Sequence, residues 1–410
     1  MFWLHFLHAS GVLQWLPAIA VQSTERLLIR LPTSCNQRNG KAMNEVLPSQ
    51  GCKQKPGLDS DTDTDTIEIS DLSRLVKQPL VSVLILAYNH EKYLADAIEG
   101  VLLQKTDFPL EILIGEDQST DGTNAVALRF LENYPDRIRI LTAKRNVGAM
   151  KNFDRLLGHS RGQLLAFCEG DDYWTHSDKL SEQVDYLQKN TGVDISFHSC
   201  HFSFGDDGEP VGPYIADRCS RIFSKVDVIR GGGGFMPSAS IVIRRDAVDK
   251  IPAKVFEKSP MGDYLVQVYG SLKGGAYYIN RSMCVYRRGH STSWNFSLNN
   301  IENLLAFETN ANATLREMAF DLGHLKRHFG YIIFKYNFQQ FIFFNYKNDR
   351  ARAAVYLAIL KKNLDLFSAR EKLLAKLASS RFLMLPIFVA NRAWRRLATA
   401  LLRNRYLKYV

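Results

Sequence analysis

Two kinds of apolar pattern alternate along this chain between residues 80 and 170. Near-continuous apolar runs, which are typical of strands buried on both faces of a parallel sheet, occur at 80–87, 110–114, 138–141 and 164–167. Segments whose apolar residues follow a helical period lie between them, at about 93–102, 124–134 and 151–157. Strands that alternate with helices at this spacing predict a doubly wound α/β sheet.

The pattern is less regular in the second half of the chain. Apolar runs still predict strands at 195–204, 239–244 and 283–286. A helix is predicted to begin near Met261 and to turn Val268 and Leu272 inward. Four consecutive glycines, 231–234, precede it. Because such a run is a poor former of both helix and strand, we expect a mobile loop there.

The first 75 residues lack the signals of a folded or membrane-inserted element. Residues 1–22 are apolar, but no Lys or Arg precedes Arg26 and Pro17 interrupts the run, which argues against a signal peptide and a membrane-spanning helix. Residues 35–75 are polar and include an acidic Thr/Asp repeat, a composition that cannot bury enough surface to order itself. We therefore expect a disordered leader and linker over 1–75, with a later start at Met43 as an alternative.

Basic residues are concentrated at the other end of the chain. The net charge is +10 over 410 residues, and residues 311–410 alone hold 19 Lys and Arg against 5 Asp and Glu. Segments 369–377 and 392–402 interleave apolar and basic residues at helical spacing. Such helices commonly lie on an anionic membrane surface, and packing against the protein's own folded domain is the open alternative. The acidic remainder offers no groove for nucleic acid.

Three parts of the chain are predicted from these patterns: the leader over 1–75, a folded domain over 76–296, and a basic helical extension over 297–410. The hydrophobic content of 46% suffices for a substantial core. The six cysteines include no C-x-x-C pair. This spacing favours a reduced, cytoplasmic setting over a disulfide framework.

Acidic side chains follow two of the predicted strands. Glu116 and Asp117 come after the second strand, and Glu169, Asp171 and Asp172 come after the fourth. Carboxyl ends of parallel strands meet at one edge of a sheet, where open α/β sheets bind ligands. Carboxylate oxygens suit Mg²⁺ or Mn²⁺, which share their coordination with substrate phosphates. An isolated acidic triplet is more often a solvated turn that caps the next helix, so the neighbouring motifs decide.

Four segments in order resemble the family 2 glycosyltransferases of the GT-A fold. The resemblance covers about half the chain, from residue 79 to 294, and its motifs lie at 83–89, 116–123, 145–148 and 169–174. Each motif is weak alone, and their order and spacing make the pattern specific. The resemblance implies a GT-A mixed α/β sheet flanked by helices over 76–296, followed by the helical extension.

The resemblance also implies roles for individual residues. Glu169-Gly170-Asp171 resembles the family's Asp-x-Asp motif, whose first carboxylate contacts the ribose and whose last binds the metal. Asp263 matches the general base, although an acid at a helix start is also a cap, and Asp117 is open to a structural role. The implied metal ligands are Asp171, Asp172 and His290. The implied nucleotide-binding residues are Ala87, Tyr88, Asn89, Asp117, Asn146, Glu169, Gly170 and Arg288, with Arg287 an alternative for the diphosphate.

The expected activity is that of a metal-dependent, inverting glycosyltransferase of bacterial surface polysaccharide assembly. It would use Mn²⁺ or Mg²⁺ and move a sugar from a nucleotide diphosphate donor, with a UDP-sugar favoured, to a hydroxyl of a glycan or lipid-linked glycan. We expect a cytoplasmic protein, peripheral on the inner face of the plasma membrane if the basic helices bind lipid. Glu169 and one extra residue before His290 depart from the pattern. They leave open a catalytically silent module that binds nucleotide or scaffolds a membrane assembly complex.

Overall fold

The computed structural model describes residues 66–206, 208–290, 300–346 and 348–378. The chain forms two compact units, and the boundary between them falls between Thr314 and Leu315. The domain boundary predicted at 296/297 lies outside the described residues, as do segment 392–402 and most of the predicted leader.

A mixed sheet forms the centre of the first unit. The strand bounds are β1 Ile67–Ile69, β2 Val81–Ala87, β3 Leu110–Glu116, β4 Ile138–Thr142, β5 Leu164–Glu169, β6 Tyr173–Trp174, β7 Ile195–Phe204, β8 Val211–Tyr214, β9 Arg221–Phe223, β10 Val242–Arg244 and β11 Ala276–Arg288. The strands follow the spatial order β1-β4-β3-β2-β5-β10-β7-β11-β6, with β8 added to β7 and β9 added to β11. The strands β4, β3, β2 and β5 are parallel, whereas β10 runs antiparallel between β5 and β7.

Helices cover the sheet with the faces that the sequence pattern predicts. In the first helix, Leu94, Ala97, Ile98 and Val101 are buried, because residues spaced by three or four positions share one face. The predicted mixed α/β architecture is confirmed. The helices of this unit are α1 Leu94–Leu102, α2 Thr123–Asn133, α3 Ala149–His159, α4 Lys179–Lys189, α5 Lys225–Gly231, α6 Arg245–Val248, α7 Ala253–Phe256 and α8 Gly262–Ser271.

The second unit is helical over its described residues. The boundary between the units falls within α9, Ile301–Asp321, which is followed by α10 Lys326–Tyr346, α11 Arg350–Lys362 and α12 Ala369–Ala378. Aromatic side chains hold α10 and α11 together, and the rings of Phe344 and Tyr356 stack at 5.6 Å. Across the described ranges, no helix combines the length and the apolar character needed to cross a bilayer.

The first structural correction concerns residues 66–75, which the sequence pattern assigned to the leader. Ile67–Ile69 instead forms an edge strand that pairs antiparallel with β4. Glu68 binds the buried Arg139 through two hydrogen bonds of 2.8 and 2.9 Å. A strand of three residues gives almost no periodic signal, and the buried arginine that anchors it lies far away in the sequence.

The second correction concerns the four glycines. Gly231 ends helix α5, which begins with a complete capping box between Ser224 and Asp227, and 233–235 form a 3₁₀ turn. Gly232, at φ 75°, supplies the left-handed residue between them. Strand 239–244 is also shorter than predicted, because Ser238–Ser240 is a 3₁₀ turn, while the strand predicted at 283–286 is longer and starts at Ala276.

Candidate active site at the carboxyl edge of the sheet

Hydrogen bonds join the loop at the carboxyl end of β2 to the loop at the carboxyl end of β3. We call residues 87–89, at the start of the first loop, the cradle. The backbone N–H of Asn89 donates to Ser119 Oγ at 3.0 Å, and Asn89 Oδ1 accepts from the backbone N–H of Thr120 at 2.8 Å. Asn89 and Gln118 both have a φ of 57°, a conformation that non-glycine residues adopt rarely and mostly at functional sites. Tyr88, in the cradle, keeps 42% of its surface exposed.

Gly170 joins the acidic motif to the cradle. Its backbone N–H donates to the carbonyl of Leu86 at 2.8 Å, which holds the end of β5 against β2. A Cβ atom at this position would lie 2.7 Å from His90 Nδ1 and 2.9 Å from the Leu86 carbonyl oxygen. The residue between Glu169 and Asp171 must therefore be glycine for the two loops to meet.

Asp117 is buried, and both oxygens of its carboxylate accept hydrogen bonds from backbone N–H groups. Oδ1 accepts from the N–H of Val147 at 2.9 Å, and Oδ2 accepts from the N–H of Gly148 at 2.8 Å. The Asn146 side chain donates to the carbonyl of Asp117 at 2.8 Å. Of the two roles that the sequence left open for Asp117, this geometry favours the structural one, in which the carboxylate folds the 145–148 loop.

Arg155 supplies the counter-charge behind Asp117. Its Nη2 lies 3.8 Å from Asp117 Oδ1 and donates to Asn152 Oδ1 at 2.7 Å. Two further nitrogens of this buried guanidinium, Nε and Nη1, have no partner within the described residues. The charge of Arg155 is compensated first by Asp117 and then by Glu116.

Asp171 lies between two histidines. Its Oδ2 is 2.9 Å from His290 Nε2 and 4.0 Å from His90 Nε2. Burial alone would raise the pKa of Asp171, but His90 and His290 outweigh it and lower that pKa. His290 reaches this position although one extra residue precedes it, because Gly289 adopts a φ of 77°. His90 was not predicted from sequence; its place directly after the cradle residues is the signal that could have identified it.

Asp172 and Glu169 lie in a different environment from Asp171. Asp172 is 2% exposed, and its Oδ1 accepts from the backbone N–H of Arg287 at 2.9 Å. Burial, with the charges of Asp171 and Glu169, raises the pKa of Asp172 well above its usual value. Burial, with the charges of Asp171 and Asp263, raises the pKa of Glu169 to about 8. The predicted metal ligand Asp172 thus has a backbone partner on β11.

The predicted base, Asp263, lies in the first turn of α8. Its Oδ1 accepts from the backbone N–H of Tyr264 at 2.8 Å, and burial raises the pKa of Asp263 to about 6. Its charge contributes to the raised pKa of Glu169, so the fold brings these two carboxyl groups near each other from distant parts of the chain. The bond to Tyr264 is compatible with a capping role as well as with a base.

The two arginines at the end of β11 have different surroundings. Arg287 Nη1 donates to the carbonyl of Asp171 at 3.0 Å. The guanidinium of Arg288 lies 5.3 Å from the ring of Tyr286 and 5.3 Å from that of Phe202. The pKa of Tyr286 is raised by burial and then by Asp172, while Arg288 opposes this. Arg288 therefore packs on two aromatic rings of the sheet, and Arg287 holds the backbone of the loop that carries Asp171.

The residues present fit a cation that takes most of its ligands from a substrate. Within the described ranges, no group of three or more His, Cys, Asp or Glu side chains surrounds a common point. Asp171 and His290 nevertheless offer one oxygen and one nitrogen in direct contact. Mg²⁺ and related ions are commonly bound by one or two protein ligands with phosphates and water completing the shell.

Comparisons with known proteins identify the family of this chain. The family model described as "Glycosyl transferase family 2" matches residues 82–251. An uncharacterized protein of Mycobacterium tuberculosis is 32% identical over 245 residues, which cover 60% of this chain and 69% of the relative. The chain belongs to glycosyl transferase family 2. Another relative of this glycosyltransferase is an Escherichia coli protein, UDP-Glc:alpha-D-GlcNAc-diphosphoundecaprenol beta-1,3-glucosyltransferase, 31% identical over 137 residues, 33% of this chain and 51% of that protein.

The fold of this family 2 glycosyltransferase also has solved counterparts. The structure of S. aureus TarS 1–349 in complex with UDP-GlcNAc superposes with a TM-score of 0.55 at 16% identity, and covers 73% of this chain and 86% of that one. At this identity the likeness concerns the fold. It confirms the GT-A architecture that the sequence resemblance implied.

A substitution at Asp117 tests its structural role. In Asp117→Asn one backbone N–H faces an amide nitrogen instead of an oxygen, and Arg155 loses the larger of its two compensating charges, with Glu116 remaining. We expect the free energy of unfolding to fall by roughly 2 to 4 kcal/mol, measured by urea denaturation without nucleotide. The exposed Asp185→Asn, which breaks only a surface pair with Lys189, should change it by about 0.5 kcal/mol or less. A stable Asp117→Asn that has lost only nucleotide binding would contradict the structural role.

Proposed function

We propose that this family 2 glycosyltransferase is a metal-dependent, inverting enzyme that transfers a sugar from a nucleotide diphosphate donor to a hydroxyl group. The observation that carries the proposal is the contact of 2.9 Å between His290 and Asp171 at the end of β5. It joins a carboxylate of the acidic motif to a histidine more than a hundred residues later in the chain. A nitrogen and an oxygen donor in contact would hold a divalent cation, which would compensate the charge of substrate phosphates.

The donor in this proposal is a UDP-sugar. It would bind at the cradle formed by Ala87, Tyr88 and Asn89, with the ribose towards Glu169. A related fold binds UDP-GlcNAc, and a relative is named for its use of UDP-glucose. The same relative is named for an acceptor carried on diphosphoundecaprenol, which supports a glycan or lipid-linked glycan as acceptor and a role in surface polysaccharide synthesis.

Asp171 and His290 would hold the Mn²⁺ or Mg²⁺ ion, and Arg288 would lie towards the diphosphate. The ion, when bound, neutralises charge that develops on the departing diphosphate. We assign Asp172 a supporting role, because the N–H of Arg287 already occupies its Oδ1. The carboxylate of Asp172 would then fix the loop on which Asp171 is carried, as outer hydrogen bonds commonly orient metal ligands.

Asp263 is the proposed base. Inversion by a single displacement requires a group that takes the acceptor's proton on the face opposite the leaving diphosphate. Asp263 lies on α8, a different element from the loop that carries Asp171, and its pKa of about 6 leaves it mostly ionised at neutral pH. An ionised carboxylate with a raised pKa is a stronger base than an ordinary aspartate.

The alternative of a catalytically silent module loses one of its two supports. The extra residue before His290 is accommodated at Gly289, and His290 still meets Asp171. Glu169 remains a departure from the family motif. A silent module would bind nucleotide without transfer, so the transfer rate of the wild type, measured in the experiment below, also separates the two functions.

Replacement of the proposed base tests the mechanism. Asp263→Asn keeps the size of the side chain and an oxygen for the Tyr264 N–H, but it removes the basicity. Turnover should fall by roughly 10² to 10⁴ while donor affinity and melting temperature stay nearly unchanged. In the wild type, the rate should fall as the pH drops below about 6, where Asp263 takes up its proton, and this limb of the profile should be absent in the mutant. Near-normal transfer by Asp263→Asn would make Asp263 a helix cap.

We extend the proposal to an anionic membrane surface as a partner of α12. This helix exposes Arg370, Lys372 and Lys376 together with Leu373, which is 56% exposed.

Reversing the charges of Arg370, Lys372 and Lys376 to Glu should reduce flotation on anionic liposomes, and added salt should reduce flotation of the wild type. The matched control reverses the exposed Lys77, Lys105 and Lys254. Equal flotation of both variants and the wild type would contradict membrane binding by α12.

A further inference from the structure

Arg287 is held by four groups at once. Its guanidinium carbon lies 4.4 Å from the ring centre of Tyr173 and 5.1 Å from that of Tyr93. Nη2 forms an ion pair with Asp96 on α1, and Nη1 donates to the carbonyl of Asp171. Only 11% of this side chain is exposed. The planar guanidinium lies against two aromatic rings and its nitrogens bond in a fixed geometry. These contacts restrict the side chain to a single position.

The same residue contacts both consecutive acids of the motif. The side chain of Arg287 bonds to the backbone of Asp171 at 3.0 Å, and its backbone N–H bonds to the carboxylate of Asp172 at 2.9 Å. The carboxylate of Asp171 itself is left to the histidines. Arg287 therefore fixes the position of the Asp171 main chain without neutralising the group that would meet the metal.

Tyr93 extends this arrangement to His290. The Tyr93 ring that lies beside Arg287 also packs against the His290 ring at 4.8 Å. Its hydroxyl donates to Asp206 Oδ1 at 3.0 Å, which anchors the ring at its far end. The backbone of Asp171 and the ring of His290 are thus both set by contacts that converge on Arg287 and Tyr93.

We propose that Arg287 is a positioning residue that sets the geometry of the Asp171–His290 pair, with Asp96 fixing the guanidinium. This inference rests on the proposed function, because it takes the pair to be the protein's contribution to the metal site. It assigns Arg287 a role other than the direct diphosphate contact, since its partners in the structure are the Asp171 carbonyl, Asp96 and two aromatic rings.

The test uses Arg287→Lys, which keeps the positive charge but removes the planar fork. Mn²⁺ binding to the full chain is measured by electron paramagnetic resonance in the presence of UDP, and UDP binding without metal is measured by calorimetry. We expect Mn²⁺ affinity to fall by about 10- to 100-fold and the metal-free UDP affinity to stay the same. Arg281→Lys is the matched control, because Arg281 is also on β11 and pairs with an aspartate, Asp178, at 2.8 Å.

Asp96→Asn tests the same inference without touching β11. Asp96 is half exposed on α1, so this variant should fold even if Arg287→Lys does not. It should lower Mn²⁺ affinity in the presence of UDP by a smaller factor. In an Arg287→Lys background it should add nothing further, because Asp96 acts through Arg287.

The possible results separate this inference from the function on which it rests. If the wild type binds no Mn²⁺ with UDP, the proposed metal-dependent function fails and the inference fails with it. Suppose that the wild type binds Mn²⁺ and that the two variants, Asp96→Asn and Arg287→Lys, bind it with the affinity of the wild type. Only the positioning role is then overturned. A metal-free UDP affinity that falls as far as the Mn²⁺ affinity would instead make Arg287 a direct diphosphate contact.

Discussion

Repulsion among crowded carboxyl groups is the constraint on which this site depends. Glu169, Asp171 and Asp172 lie within four positions at the end of β5, and Asp263 approaches from α8. Each acid is accommodated differently. Asp171 is stabilised as the anion by two histidines, Asp172 accepts the N–H of Arg287, and Glu169 has a pKa of about 8, so it holds its proton at neutral pH. One carboxylate, Asp171, is thereby kept ionised beside an imidazole in a crowded acidic site.

The second half of the sheet contributes the groups that compensate these charges. β11 lies beside β7 and pairs with β6 at the turn after the acidic motif, and this brings Arg287 and His290 to the loop. The loop after β2 supplies His90, directly after the cradle. Gly170 has no Cβ atom, which lets that loop approach the end of β5. The site of this family 2 glycosyltransferase thus depends on contacts between residues far apart in the chain.

The sequence predicted the parts of this architecture that have strong local signals. The runs 80–87 and 164–167 are buried strands because nearly every residue in them is apolar, and the acids after them lie at one edge because parallel strands end together. The short β1 was missed because the Glu68–Arg139 pair that anchors it joins residues far apart in the chain. The helix ending in Gly231 was missed although its capping box of Ser224 and Asp227 is a local signal, because a run of glycines is a poor helix former. The role of Arg287 depends on tertiary contacts that no local pattern records, whereas the place of His90 directly after Asn89 is a local signal that the prediction did not use.

The central claim is that this protein transfers sugar from a nucleotide donor by means of the Asp171–His290 pair. The most direct measurement is nucleotide release from a panel of UDP-sugars and other nucleotide sugars, with Mn²⁺, with Mg²⁺ and with chelator, for the wild type and for Asp171→Ala. We predict release from at least one donor that requires the metal, and a rate at least tenfold lower in Asp171→Ala, a loss of roughly 1.4 kcal/mol or more. Release that is equal with chelator, or equal in Asp171→Ala, would contradict the claim.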